Sequence, residues 1–190
     1  VPCKNHKYEV RRAESILVEF EDGRKLTGAQ RRKAFVLLRY ISMWWSYTPL
    51  ECTKEIMKLM FRESVYSIKD ESFSLSDCDR TTARLYITYL IDFCLLHDVD
   101  IGEESLLDLC EDVGRYVWAC LMNKKCAVCS ASHADLHHVQ AIGAGRNRRH
   151  VYQIGMPVMS LCRKHHEESH RMGQQSFMKK YHLQPVDMNE

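Results

Sequence analysis

Between Cys126 and His170 the chain places Cys126-x-x-Cys129, Asp135-Leu-His137-His138, Cys162-x-x-His165 and His166-x-x-x-His170 within 45 residues. So many ligand-type side chains in so short a stretch limit the fold, because a segment this short cannot bury enough apolar surface alone and a metal clamp is expected to hold its two ends. The two x-x spacings form knuckles, tight turns that each aim two side chains at one ion. Together they describe one tetrahedral zinc held by Cys126, Cys129, Cys162 and His165. The remaining histidines are too many for that ion. His166 and His170, four apart, lie on one face of a helix and can meet a second one. Adjacent histidines point in different directions, so exchanging His165 and His166 would change both sites.

His137 and His138 are also adjacent, and in an extended segment they project to opposite sides. One can bind metal while the other stays free. A free imidazole near neutrality can accept a proton from water. Three ligands, His137, His166 and His170, leave coordination positions open for a phosphate oxygen and water. The basic excess of this region, 8 Lys/Arg against 5 Asp/Glu from residue 126 onward, is concentrated in Arg146-Asn-Arg148-Arg149. These guanidinium groups fit either a phosphate backbone or a solvated loop.

Upstream, helical periodicity dominates. Ser15 to Phe20 reads as a strand, followed by a turn. Thr27 and Gln30 form a capping-box pattern before apolar residues at Ala34, Leu37, Leu38, Ile41 and Trp45. Thr48-Pro49 offers an N-cap and a proline at the first helical position, and Ile56, Leu59 and Met60 continue that second helix. Ser76 or Asp77 is expected to cap a third helix carrying Leu85, Ile87, Leu90, Ile91, Phe93 and Cys94, and a fourth is expected over 103–121. The aromatic residues Trp44, Trp45, Tyr47, Tyr86, Tyr89, Tyr116 and Trp118 fall at helical spacing and are expected mainly in the core. Arg31, Arg32 and Lys33 fit either a nucleic-acid contact or a solvated helix face.

The change of character near residue 122 divides the chain into a helical part, 1–122, and a ligand-rich part, 123–190. Nine cysteines, six of them scattered before residue 121, fit buried reduced thiols better than a disulfide scaffold. With no export signal at Val1-Pro-Cys-Lys-Asn and no long apolar run, a cytoplasmic protein outside the membrane is expected. The opening valine suggests a trimmed chain with residues upstream.

The run Asp135-Leu-His137-His138, followed by a helix bearing His166-x-x-x-His170, resembles the ββα-metal motif of HNH endonucleases, and closely the form used by the colicin DNases. The knuckles resemble HNH proteins of the cysteine-bearing type, and Gly143-Ala-Gly145-Arg-Asn-Arg148-Arg149 looks like the loop of a phage-encoded HNH nuclease family. Similarity to that group extends upstream through 22–31 and 73–77. The upstream part also resembles phage recombination mediators of the NinB type, which bind single-stranded DNA.

The resemblance implies an α+β chain, with a mainly helical N-terminal domain, a short β element and a small zinc-stabilised ββα-metal domain. It assigns a catalytic divalent ion (Mg, Mn, Ni or Zn) to His137, His166 and His170, the general base to His138 and a supporting role to Asp135. Asn147 and Gln153 are candidates for the asparagine that orients the base, and Arg146, Arg148 and Arg149 for phosphate contacts. The implied reaction is hydrolysis of DNA to 5′-phosphate and 3′-hydroxyl ends in a phage-infected bacterial cytoplasm. Single-strand binding or recombination proteins are the further partners. The competing expectation is a non-catalytic zinc module that coats single strands or recruits recombination proteins. A zinc hydrolase of small substrates fits poorly, because no HExxH occurs.

Overall fold

The structure, a computed structural model, describes residues 23–64, 72–140 and 154–187. The expected strand at 15–20 and the loop residues Arg146, Asn147, Arg148, Arg149 and Gln153 lie outside them.

Among the described residues five helices come first: α1 (Gly28–Trp44), α2 (Leu50–Arg62), α3 (Arg80–Leu96), the short α4 (Leu106–Leu109) and α5 (Val113–Met122). Helix α1 starts where Thr27 and Gln30 close a reciprocal capping box, which satisfies amide groups that the first turn leaves open. It buries Ala34, Leu37, Leu38 and Ile41 against α3. Helix α3 is apolar around most of its circumference and occupies the centre, with Tyr86, Ile87 and Leu90 fully enclosed. Leu90→Ala should therefore cost about 2–5 kcal/mol through lost burial and the cavity left behind, and chemical denaturation measures it.

Several local expectations are corrected. Asp79, not Ser76 or Asp77, caps α3, its carboxylate accepting from the Thr82 amide at 2.8 Å. Pro49 takes the cap position of α2 while Thr48 donates its hydroxyl to the Trp45 carbonyl. The buried face of α2 is Thr53, Met57 and Phe61, leaving Ile56, Leu59 and Met60 exposed. The single helix expected over 103–121 is two, because Ser105 and Asp112 each cap a new start and the second cap interrupts the run. Among the aromatic residues, Tyr86 and Tyr116 are buried, but Trp44, Tyr47 and Trp118 are exposed. Arg31 donates to the Leu75 and Ser76 carbonyls and Lys33 pairs with Glu111, so both cations hold the fold together.

After α5 come β1 (Asp135–His138), β2 (Pro157–Leu161), α6 (Arg163–Met172), α7 (Gln174–Tyr181) and β3 (Val186–Asp187). The strands form one antiparallel sheet in the order β1-β2-β3, with Asp135 opposite Leu161 and His137 opposite Met159. Val158, Met159 and Leu161 of β2 are buried, and α5 and α6 pack against this strand. Cys120 and Val117 of α5 join Cys126, Met159, Leu161 and Phe177 in one apolar cluster with the helices before them. Cys78, Cys94 and Cys120 are buried free thiols. No helix among the described residues is long and apolar enough to cross a membrane.

Candidate metal centres

The first knuckle begins directly after α5. Lys124, with φ +51°, turns the chain, and the Cys126 amide donates to the Ala131 carbonyl at 2.9 Å while Ser130 donates back to Cys126 at 2.8 Å. The turn is fixed to β2 by the Ala127 amide, which donates to the Ser160 carbonyl, and by the Ser160 hydroxyl, which donates to the Lys125 carbonyl. Lys125 reaches back to Asp98 and Ser132, tying the knuckle to the end of α3. The second knuckle is the β2–α6 junction, where Cys162 occupies the N-cap of α6 and His165 lies one turn along.

These supports bring Cys126, Cys129, Cys162 and His165 together. The Cys129 and Cys162 sulfurs are 3.8 Å apart, and His165 Nδ1 lies 3.4 Å from Cys126 Sγ and 3.3 Å from Cys162 Sγ. A tetrahedral zinc, with bonds of about 2.3 Å to sulfur and about 2.0 Å to nitrogen, spaces two sulfurs by about 3.8 Å and sulfur from nitrogen by about 3.5 Å. The cluster can hold a zinc ion. Burial pushes the Cys126 thiol up to about 12, so at neutral pH a cation must supply the charge that makes it a thiolate. Burial also works to raise Cys162, but the His165 amide, the neighbouring thiols and the Lys164 amide outweigh it and hold this sulfur below its ordinary value. Such a shift suits a thiol at a helix N-terminus.

The second cluster stands where β1 faces α6. His137 is buried on β1, His166 is half-buried and His170 exposed. Their ring centroids lie 4.7 Å (His137–His166), 5.3 Å (His137–His170) and 4.8 Å (His166–His170) apart. His166 Nε2 and His170 Nε2 are separated by 3.2 Å, close to the spacing of about 3.3 Å set by two nitrogens on one tetrahedral ion. Adjacent His165 and His166 thus enter different clusters.

Burial, with lesser repulsion from His166, His170 and His138, holds His137 below the ordinary 6.5, against a hydrogen bond to Gln174 that raises it. Burial and then His170 lower His166, while Asp135, exposed on β1, pulls it upward. Burial also lowers His165. Histidines kept neutral in the fold are ready ligands, since their lone pair carries no proton that a metal must displace.

The unfolded chain binds more protons than the folded one below 6.5, so this part of the stability is complete above that pH and lost as pH falls through the lowered folded values. Thermal unfolding midpoints should fall between about pH 7 and 5.5, and the affinity of both clusters for a divalent ion should fall with them.

His138 is half-buried on the same strand, with Nε2 enclosed and without a hydrogen-bond partner among the described residues. His133 is exposed with φ +59°, and His182, with φ +52°, ends α7. Neither enters a cluster. Gln174 was not expected near the site. No spacing signal points to it, because α6 ends at Met172 and the Gly173 turn interrupts the helical period before Gln174.

Two antiparallel strands are followed by a helix in a ββα arrangement, with imidazoles converging from the first strand and the helix. A family model described as "Putative HNHc nuclease" matches residues 7–190, and the chain belongs to this HNH nuclease family. No curated protein and no solved structure matches the chain.

Proposed function

We propose that the chain is a metal-dependent HNH endonuclease that hydrolyses DNA to 5′-phosphate and 3′-hydroxyl ends. The observation carrying this reading is the convergence of His137, His166 and His170 beside a separate four-ligand cluster. A purely structural module needs one such cluster, and a second, partly exposed set of imidazoles with free positions suits a reacting group. Within this reading Cys126, Cys129, Cys162 and His165 hold zinc and fix the β2–α6 junction. His137, His166 and His170 hold one divalent ion, Mg, Mn, Ni or Zn. When bound, that ion stabilises charge on the scissile phosphate and the leaving oxygen.

The protein's own residues supply the rest. His138, next to the metal ligand on β1, takes the proton from the attacking water. Its enclosed Nε2 calls for an orienting partner, and Asn147 and Gln153 are the candidates for that role. Asp135 faces His166 electrostatically and helps to hold its ring. Arg146, Arg148 and Arg149 grip phosphates beside the scissile group. The helical part, 1–122, positions the nuclease part, 123–190, on DNA or on a recombination partner.

Incubation with supercoiled, linear, single-stranded and branched DNA across several divalent metals tests the proposal. Metal-dependent cleavage is expected. One zinc per chain, no second ion bound and no cleavage of any substrate would instead identify a binding module.

A further inference from the structure

Gln174 is the first residue of α7, and its Oε1 lies 2.9 Å from His137 Nε2. A carboxamide oxygen only accepts hydrogen bonds, so the imidazole nitrogen that faces it must carry the proton. A hydrogen bond to this oxygen requires the Nε2–H tautomer of His137, in which the lone pair sits on Nδ1. The other two imidazoles differ, since His166 and His170 approach each other through Nε2.

His137 is only 1% exposed, so water cannot readily replace the amide as partner. An unpaired buried N–H would be costly there. The backbone places Gln174 for this contact. Gly173 ends α6 and opens α7 with φ +85° and ψ +145°, a conformation open to glycine and strained for other residues. Nothing lies within 4 Å of a Cβ built at Gly173, so conformation, not space, demands this residue. After the turn, buried Phe177 and the Tyr181 hydroxyl, which donates to Glu168, lock α7 against α6. The amide is carried on a packed helix and not on a loose loop.

We infer that Gln174 is a positioning residue of the second metal centre: by accepting from Nε2–H it turns Nδ1 of His137 to the ion, while His166 and His170 bind through Nε2. The inference rests on the proposal that these three histidines hold an ion. A ligand imidazole commonly has its other nitrogen held by a hydrogen-bond acceptor, and losing that acceptor weakens metal binding by about 10–100-fold.

The test uses the full chain with its zinc retained and the three-histidine centre cleared by mild chelation. Long-range ¹H–¹⁵N correlation spectra report which nitrogen of His137 is protonated, and Ni²⁺ titration by calorimetry reports affinity. The Nε2–H tautomer is expected in the wild type. Gln174→Leu should lose that preference and bind Ni²⁺ about 10–100-fold more weakly, while Gln174→Glu, which keeps the acceptor, should retain the tautomer and recover most of the affinity. An Nδ1–H tautomer in the wild type overturns the inference, and this measurement needs no variant to fold. So does a Gln174→Leu protein with unchanged tautomer, whether its affinity holds or falls; a fall alone would make the amide a direct ligand. Failure to cleave DNA by a protein that shows the expected tautomer and binds Ni²⁺ would count against the nuclease proposal alone.

Discussion

His138→Ala should abolish metal-dependent cleavage, with a loss of at least about 10²–10⁴-fold, the range associated with removing a general base. The variant should fold and bind DNA as the wild type does, because the His138 ring makes no hydrogen bond through its enclosed Nε2 to any described residue and is not among the clustered ligands. A plasmid-nicking time course beside circular dichroism and a DNA-binding titration measures all three properties. Undiminished cleavage by His138→Ala would remove His138 from the mechanism. His166→Ala provides the useful contrast. It should keep the zinc and the fold but lose the second ion.

Cys126→Ser should have the largest effect on stability. Cys126 is fully buried in the apolar cluster shared by helices and sheet, and its sulfur faces His165. In the proposed zinc cluster, replacing it removes a ligand and leaves a hydroxyl in a dry site, and loss of a structural metal belongs to the few causes of very large destabilisation. A loss above roughly 4 kcal/mol is expected, corresponding to a midpoint lowered by about 8–16 °C for a chain of this size. Zinc content by atomic emission and thermal unfolding check it together. A variant that retains one zinc and unfolds with the wild type would show that the clamp does not hold the fold.

Much of the helical framework was legible from local pattern. The capping box at Thr27 and Gln30 and the apolar period through Ile41 both depend on neighbours within one or two turns, and α1 forms where they indicate. The exposed face of α2 was not legible. Ile56, Leu59 and Met60 are as apolar as Met57 and Phe61, and only the position of α3 determines which side is covered. The break between α4 and α5 shows a similar competition. Asp112 carries a cap signal inside an apolar run, and the side chain's bond to the Arg115 amide prevailed.

In the metal region, the ligand types and the two knuckle spacings follow from the sequence alone, because a turn of two intervening residues brings its ends together wherever it occurs. The i,i+4 relation of His166 and His170 is equally local, set by helix geometry. Which ligands share a centre is a long-range matter. The β1–β2 register places His137 opposite Met159, and the entry of β2 into α6 turns His165 toward the cysteines and His166 toward β1. The Gly173 turn then brings Gln174 to His137, across 37 residues of sequence. Spacing determines which side chains can reach a common point, whereas strand register and helix packing bring together ligands that lie far apart in the chain. Spacing had already assigned the neighbouring His165 and His166 to different groups, but tertiary structure alone brought each to its distant cluster partners and added an amide that no spacing rule had named.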